Sequence, residues 1–310
     1  MSLTPAHDMS RRLQNCNDRP WTSSYPVALD SSHFAPGFAA PLGVRSAQSG
    51  QDLTPRAQRS IRLLSEELPE KMTLADVKAC KLDTRCELAD QFVDDLVAAA
   101  IAHGSDRAKK AAAVLASWDR RADAASVGTV MFLHWAMAVG ATGQKIGGFV
   151  VPLDDRRPLE TPRGFVEPAR AVAALDEVAA RMEEEYNTLE VTWGEVMRFP
   201  TDVRRLSSTG GGENLPGNGA PGSLGAIRTI GNAAFVDGTT EPIHGDTWFA
   251  VMEFAQTGVQ AEALLGYGNW SKPGSKHVED QMGLMSQNEL RKVWRDRSEI
   301  EEHLERITVL

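Results

Sequence analysis

The sequence has 310 residues and 42% hydrophobic content, enough chain to bury a sizeable core in one large domain or two small ones. A formal net charge of −9 and a pI near 5.4 argue against the basic surface of a nucleic-acid-binding protein, and no apolar run is long enough to span a membrane. We therefore expect neither nucleic acid nor a membrane as a partner.

The cysteines and glycines do not suggest a bound group. Cys16, Cys80 and Cys86 are an odd number without the paired spacing of a zinc site. One disulfide, between Cys80 and Cys86, is the most that can be argued, and three buried thiols are the alternative. The glycine-rich stretch 207–223 lacks the GK(S/T) ending of a phosphate-binding loop. The sequence predicts no metal and no cofactor.

The first segment with a clear signal, residues 14–22, is dense in short polar side chains and ends in proline, tryptophan and threonine. This composition is typical of an irregular loop, in which Asn15 and Asn17 make local turns. Residues 25–50 are rich in proline, glycine, serine and alanine, and predict a surface loop that could line a substrate entrance. Composition alone assigns no chemistry to either segment.

Helical patterning begins at Thr54 and Pro55. Threonine caps the free N–H groups of a helix start, and proline suits its first turn. Arg56 then lies in that first turn, where a cation is unfavourable against the helix dipole. We therefore expect tertiary contacts to hold Arg56, with a solvated surface arginine as the alternative.

Apolar periodicity predicts further helices at residues 74–81, 86–103, 106–118, 127–139 and 168–189. The fourth of these contains His134, which we interpret as a core or surface histidine rather than a catalytic group. Residues 140–162 have the composition of a linker or exposed loop. The predicted helices are packing elements and not sites.

Two apolar runs, residues 247–254 and 259–267, predict a β-hairpin. Side chains alternate along a strand and neither face of the first run is polar, so we expect both strands to be buried on two faces. Glu253 is the exception in this run. If buried, its carboxylate needs a cation, a histidine or backbone N–H groups beside it. A strand-end glutamate or a structural ion pair is the alternative.

This hairpin and the segment after it resemble the C-terminal end of the penicillin acylase family, N-terminal-nucleophile (Ntn) hydrolases that include acyl-homoserine-lactone acylases and aculeacin-type acylases. The family patterns G-D-(T/S)-(aromatic)-x-x-x-x-E-F and L-x-Y-G-x-S-x-x-P-x-S-x-H-x-x-D-Q are similar to residues 245–254 and 265–281. The patterns QNxNxxPW, T-P-R-A-Q-R, W-D-x-R-A-D and W-G-E-V are similar to residues 14–21, 54–59, 118–123 and 193–196. The resemblance spans nearly the whole chain.

The resemblance implies a site built around one nucleophile. Asn17, the latter asparagine of N-x-N, would donate its amide N–H in the oxyanion hole, where one donor stabilises the tetrahedral intermediate by about 3–4 kcal/mol. Arg56 would belong to the polar network of that site, and Glu253 would orient the histidine beside the nucleophile. Asn17 and Glu253 should then face one cavity, within roughly one residue's span of each other.

The resemblance corresponds only to the later portion of the family's β subunit. The N-terminal serine nucleophile with its α-amino base, the histidine after it, the other oxyanion donor and the α subunit would all lie upstream of Met1. Ser2 does not fit as a substitute, because the family nucleophile precedes N-x-N by far more residues than separate Ser2 from Asn17. We expect the chain alone to be inactive, with the α subunit and the N-terminal segment of the β subunit as its partners.

Two functions remain open at this point. The chain could be part of an acylase whose small-molecule substrates are N-acyl amides, such as acyl-homoserine lactones, penicillin-like amides or lipopeptides. It could instead be a non-catalytic remnant or a binding module that retains the scaffold. The presence of Asn17, Arg56 and Glu253 favours the first, and the lack of a nucleophile favours the second. The resemblance implies a periplasmic or secreted protein, although the N-terminus has no apolar signal-peptide core.

The expected fold class is α+β, a partial Ntn-hydrolase αββα sandwich with a helical first half and antiparallel strands in the C-terminal third. Residues 1–310 would form the C-terminal portion of a penicillin-acylase-type β subunit. The helical part would lie at about 52–189 and the strand-rich part at about 224–310.

Overall fold

The computed structural model describes residues 12–18, 20–26, 32, 53–140, 143–200, 214–266, 268–270, 272 and 275–305. Helices dominate the first half of this part of the chain, as the periodicity predicts. The α-helices are α1 Pro55–Arg62, α2 Leu74–Lys81, α3 Glu87–His103, α4 Asp106–Ser117, α5 Thr129–Val139, α6 Pro168–Tyr186, α7 Trp193–Val196, α8 Met282–Gln287 and α9 Arg297–Glu302. No helix among the described residues is long and apolar enough to cross a bilayer.

Capping side chains start the first helices. The hydroxyl of Thr54 accepts a hydrogen bond from the Ala57 N–H at 3.2 Å, and Pro55 occupies the first turn of α1. Helix α2 begins with a capping box, in which Thr73 and Asp76 each accept from the other's backbone N–H. Both starts follow from local sequence alone.

The main core lies between α3, α4, α5 and α6. Phe92 of α3 stacks on Phe149 with ring centroids 4.5 Å apart. Trp135 of α5 donates its indole N–H to the Ala171 carbonyl of α6 at 3.0 Å. His134, on the same helix, packs its ring 4.5 Å from that of Phe235, and burial lowers its pKa to about 4. It is a neutral packing residue, which confirms the interpretation from the sequence.

The described strands pair in small antiparallel sheets. They are β1 Phe149–Val151, β2 Arg163–Phe165, β3 Arg198–Phe199, β4 Leu215–Pro216, β5 Ile230–Asn232, β6 Pro242–Gly245, β7 Trp248–Ala255, β8 Gly258–Leu265 and β9 Arg291–Lys292. β1 pairs with β2, β3 with β4 and β5 with β6, and the fourth sheet has the order β7-β8-β9. Mixed helix and antiparallel strand content is therefore confirmed, and the two long strands lie in the C-terminal third.

The hairpin β7–β8 forms where the sequence predicts it, but its burial differs from the prediction. Its register runs from Trp248 opposite Leu265 to Ala255 opposite Gly258. Phe249 and Val251 are buried against the rest of the molecule, whereas Trp248, Met252 and Phe254 on the other face are exposed. The expectation of burial on both faces is wrong, because the described residues cover only one face.

The W-G-E-V motif forms α7 and joins the helices to the strands. Trp193 is fully buried, and its indole N–H donates to the Gly219 carbonyl at 2.8 Å. A Cβ at Gly194 would lie 2.9 Å from the Ala124 carbonyl oxygen, so only glycine permits this close approach.

The cysteines form no disulfide. Cys16, Cys80 and Cys86 are all free thiols. Cys86 is buried, as the alternative of three buried thiols requires. Cys16 and Cys80 are only half-buried, so that alternative is wrong for them. Ser2, most of the predicted entrance loop and residues 207–213 of the glycine-rich stretch lie outside the described residues.

Candidate active site

The loop that carries Asn17 is organised around the buried carboxylate of Asp18. Its Oδ1 accepts the backbone N–H of Cys16 at 2.6 Å, and its Oδ2 accepts from the Gln14 side-chain amide at 2.7 Å and from the Thr22 hydroxyl. Gln14 also donates its side-chain amide to the Thr22 carbonyl at 2.7 Å. These bonds hold an irregular segment in one conformation, which is what a positioned functional side chain needs.

Asn17 stands at the exposed apex of that loop. Its backbone lies in the left-handed region with φ of 64°, which asparagine tolerates better than most residues. Its backbone N–H donates to the Asn15 side-chain oxygen at 3.0 Å, a local turn of the kind that the composition predicted. This turn uses the backbone of Asn17 and leaves its side chain available for another role.

Arg56 holds the Asn17 side chain from helix α1. The Nη2 group of Arg56 donates to the Cys16 carbonyl at 2.7 Å and also to the Asn17 Oδ1. Because a guanidinium group can only donate, the amide atom that faces Arg56 must be oxygen. The Nδ2 group is therefore directed away from Arg56, and among the described residues it has no hydrogen-bond acceptor. The tertiary contact expected for Arg56 is present.

The helix that carries Arg56 is itself fixed by the next two arginines on the same face. Arg59 is fully buried and bonds to Asp83 at 2.6 Å and to Glu67 at 2.6 and 2.8 Å. Burial disfavours the charge of Arg59, but the hydrogen bonds that it donates to Glu67 and Asp83 outweigh this effect and raise its pKa. Arg62 binds the fully buried Glu87 at 2.8 Å. Neither Arg59 nor Arg62 was predicted as a site residue, although three arginines spaced three apart mark one side of a helix.

A second polar cluster lies beside this site, at the start of β7. The Asp246 carboxylate accepts from Lys81 at 2.7 Å and from the Thr229 N–H at 3.2 Å, and lies 3.7 Å from the buried guanidinium of Arg228. A Cβ on Gly222 would lie 3.5 Å from Thr229 and 3.8 Å from Arg56, so the two clusters flank the same point. Asp246, the second residue of the G-D-T-W motif, thus ties the segment before β7 to Lys81 of α2 and to the Thr229 backbone.

Glu253 lies elsewhere. It is exposed near the turn of the hairpin, opposite Gln260, and no side chain in the described part of the chain pairs with it. Seven residues separate it from Asp246, which in a strand corresponds to roughly 23 Å. The expectation that Glu253 is buried is wrong. The structure brings Asn17 and Arg56 together and does not bring Glu253 to them.

The Cys16 thiol is the nucleophilic side chain next to Asn17 in the chain. Burial raises its pKa, although the charge of Arg56 opposes the effect. The thiol therefore stays protonated at neutral pH, and it lacks the thiolate character of a catalytic cysteine.

A cavity of about 260 Å³ opens beside the same loop and is lined by Gln14, Ser24, Tyr25 and Ile61 among others. Asn17, Arg56 and Glu253 do not line it. The candidate site is the exposed apex at Asn17 and not this cavity.

The Asn17 amide determines the chemistry that the Asn17–Arg56 pair can perform. A neutral donor is held in one orientation by a cation on its oxygen side, so its N–H is both positioned and polarised. Such a group stabilises negative charge that develops on an oxygen atom in front of it.

The family model described as Penicillin amidase matches residues 2–302. The chain belongs to the penicillin amidase family. This membership confirms the resemblance drawn from the motifs. The expected division into a helical and a strand-rich part of a β subunit stays a prediction.

The curated relatives are acylases by name. Acyl-homoserine lactone acylase PvdQ of Pseudomonas fluorescens is 29% identical over 286 residues, which cover 89% of this chain and 34% of that protein. The protein of the same name from Pseudomonas syringae pv. tomato is 28% identical over 288 residues, covering 88% and 34%. The chain thus spans about a third of the length of the curated relatives that it matches.

Among solved structures, the thermostable penicillin G acylase from Alcaligenes faecalis covers 81% of this chain and 52% of its own chain, with a TM-score of 0.42 and 14% identity.

Proposed function

We propose that this chain provides the oxyanion-binding part of an acylase that hydrolyses the amide bond of N-acyl compounds. Candidate substrates are acyl-homoserine lactones, penicillin-like amides and lipopeptide amides. The catalytic roles fall on Asn17, as the donor that touches the reacting oxygen, and on Arg56, as the residue that positions it.

The observation that carries this proposal is the bond from Arg56 to the Asn17 Oδ1. It turns Nδ2 away from Arg56, and Nδ2 has no acceptor among the described residues. A turn-forming asparagine at an exposed loop apex has no need of an arginine from a separate helix to hold its side chain. An oxyanion donor does need it, because a donor that rotates freely loses part of its stabilising effect.

The reaction proceeds by addition and elimination. A nucleophile supplied by the rest of the acylase adds to the amide carbon, and the carbonyl electron pair moves to oxygen. Asn17 Nδ2–H donates to that oxyanion. The oxyanion then collapses, the C–N bond breaks, and the nitrogen leaves as an amine with the proton that the nucleophile gave up, while the acyl group stays bonded to the nucleophile. Water next releases the acyl group as a carboxylic acid. One positioned donor accounts for about 3–4 kcal/mol of transition-state stabilisation.

The same proposal includes the fold and the location of the complete enzyme. We propose that the chain forms one part of an Ntn-hydrolase αββα sandwich, to which the β7–β8 hairpin contributes sheet strands. We also propose a periplasmic or secreted location, as the acylase resemblance implies. The role of Glu253 beside a catalytic histidine remains a proposal for the assembled enzyme.

The competing function is a non-catalytic remnant or binding module. The observation that favours it is the exposed Glu253, which has no partner in the described residues. The bond between Arg56 and Asn17 favours the acylase instead, because two side chains far apart in the sequence keep a specific contact.

A covalent chimera tests the function. The 310-residue chain would replace the matched third of the Pseudomonas fluorescens acylase in frame, so that the nucleophile is supplied on the same polypeptide. We expect hydrolysis of N-acyl homoserine lactone, with Asn17→Ala lowering kcat by about a hundredfold or more and leaving KM nearly unchanged. An inactive but folded chimera, or one in which Asn17→Ala has full activity, would reject the proposal.

The isolated chain provides the second arm of this test. We expect it to hydrolyse no chromogenic N-acyl substrate, since an oxyanion donor alone does not cleave an unactivated amide at enzymatic rates. Turnover that is lost in Ser2→Ala would instead make Ser2 the nucleophile.

A further inference from the structure

A short 3-10 turn at Gly222–Leu224 packs against helix α1, which carries Arg56. Two glycines that flank this turn are required by the fold. Gly219 and Gly225 have φ of 81° and 93°, in the region that favours glycine, and a Cβ on them would meet neighbouring atoms at 2.6 Å and 2.7 Å. Their side of the turn has no room for a side chain.

Gly222, the first residue of the turn, differs from both. Its φ lies outside the left-handed region, and a Cβ would make ordinary contacts, 3.5 Å from the Thr229 methyl carbon and 3.8 Å from the Cδ and Nε of Arg56. The described chain would therefore accept a side chain at this position. Glycine leaves a small open space there instead, which we call the Gly222 cradle and define by Gly222, Thr229 and Arg56.

The Gly222 cradle borders the arginine that positions the proposed oxyanion donor. Arg56 uses its Nη2 group to hold the Asn17 oxygen, and its Nε–H has no acceptor among the described residues. The Thr229 hydroxyl is occupied, because it donates to the Ala226 carbonyl at 3.0 Å. The cradle therefore combines a methyl wall and a methylene wall with one N–H donor that lacks a partner.

These features match the amine half of an N-acyl amide better than its acyl half. An unsubstituted acyl chain is pure hydrocarbon beyond its carbonyl group. The amine half of a homoserine lactone has ring methylenes and a ring carbonyl oxygen close to the amide nitrogen. A ring methylene would contact the Thr229 methyl and the Arg56 methylene, and the ring oxygen would accept from the Arg56 Nε–H.

We propose that the Gly222 cradle receives the amine half of the substrate, and that the missing side chain at Gly222 admits a five-membered ring with an oxygen acceptor. This inference rests on the proposed acylase function and names the part of the substrate that this surface recognises. Gly222 then determines specificity and takes no part in the chemistry. Because the ring contacts are the same in the ground state and the transition state, their loss should raise KM and leave kcat nearly unchanged.

The covalent chimera tests the cradle with three substrates that share an octanoyl group. N-octanoyl homoserine lactone has the ring and the oxygen acceptor, N-octanoyl cyclopentylamine has the ring alone, and N-octanoyl methylamine has neither. Mass spectrometry of the released octanoic acid gives kcat and KM. We expect KM to rise in that order. Equal KM values for the lactone and the cyclopentylamide would reject the oxygen contact to Arg56.

Gly222→Ala and Gly222→Val fill the cradle by increasing amounts. Gly222→Val should raise KM for both ring substrates by about tenfold or more, Gly222→Ala should raise it less, and neither should change KM for the methylamide. Gly283→Val is the matched control, since Gly283 on α8 also has φ outside the left-handed region and open space beside it. Circular dichroism and thermal melting establish folding, and Gly222→Ala alone decides the result if Gly222→Val does not fold.

Three outcomes reject the cradle as the site of the amine half. The first is an unchanged KM for every substrate, and the second is an equal rise for the ring substrates and the methylamide. The third is an effect of Gly222→Val that follows acyl length across butanoyl, octanoyl and dodecanoyl homoserine lactones, which would assign the cradle to the acyl half. An active chimera with any of these results rejects only this inference, whereas an inactive chimera rejects the proposed function and the cradle with it.

Discussion

The helical body and the β7–β8 hairpin are both rich in apolar residues, yet they meet different surroundings. In the body, formed by α3 to α6, apolar side chains pack against neighbouring helices and against β1 and β2, and Phe92 and Trp135 are almost fully buried. In the hairpin, Phe249 and Val251 are buried while Phe254 is exposed. An apolar pattern shows that a face needs a partner, but it does not show whether the same stretch of chain provides that partner.

The two parts of the candidate site show the same contrast. The Asn17–Arg56 pair lies against the body and is held by buried ion pairs on α1. Glu253 lies on the hairpin near its turn and is exposed. The Asn17 side-chain oxygen and Arg56 are thus bonded to each other, whereas the Glu253 carboxylate has no partner among the described residues.

The largest expected effect compares one phenylalanine in each region. Phe92→Ala removes a buried ring from the core and should lower the free energy of unfolding by about 3–5 kcal/mol. Phe254→Ala in the isolated chain should change it by less than about 0.5 kcal/mol, because the ring is already in solvent. Urea denaturation of both variants measures the difference. Equal losses would mean that the face of the hairpin that carries Phe254 is covered in the free chain.

The second prediction concerns the ion pairs under α1. Among the described residues, Arg59→Met leaves the buried Asp83 carboxylate with Arg121 as its remaining cation, and we expect a loss of about 3 kcal/mol in the free energy of unfolding. Arg297→Met removes an exposed pair with Glu301 and should cost less than about 0.5 kcal/mol. The same denaturation assay compares the two, and a small loss for Arg59→Met would show that α1 is held by its apolar contacts alone.

The third prediction tests the positioning role of Arg56 in the covalent chimera. Arg56→Met frees the Asn17 amide to rotate, so kcat should fall about tenfold while KM stays nearly constant. Steady-state kinetics measures both constants, and Arg157→Met, an exposed arginine paired with Asp154, is the control. If Asn17→Ala lowers kcat no further when Arg56→Met is already present, the two residues act as one unit. A rise in KM alone would assign Arg56 to substrate binding.

The smallest expected effect is the pH dependence of the stability that His277 contributes in the segment after the hairpin. Hydrogen bonds to Asp280 and Glu305 raise the pKa of His277 above its ordinary value of 6.5. The folded state therefore binds the proton more tightly, and this stabilisation is fully present below pH 6.5 and disappears as pH rises through the folded pKa. His277→Gln should lower the melting temperature slightly at about pH 5.5 and leave it unchanged at about pH 9. A difference that grows with pH would contradict this assignment.

Much of the fold could be predicted because its signals are local. The threonine cap at Thr54, the helix at 74–81 and the hairpin around residues 256–257 depend on neighbours three or four residues away, or on alternation along one strand. Family membership was predictable for a related reason, since its motifs are short runs of contiguous residues. Burial of the hairpin was predicted wrongly, because it depends on what lies opposite and not on the pattern of the strand itself.

The sequence by itself determined most element types and the pairing of β7 with β8, whereas the roles of Asn17 and Arg56 as site residues stay a prediction. Only the tertiary structure decided that Arg56 bonds to the Asn17 oxygen across 39 residues and that Lys81 reaches Asp246 across 165. The physical reason is that periodicity depends on the geometry of one helix or strand, whereas these contacts depend on the path that brings distant elements together.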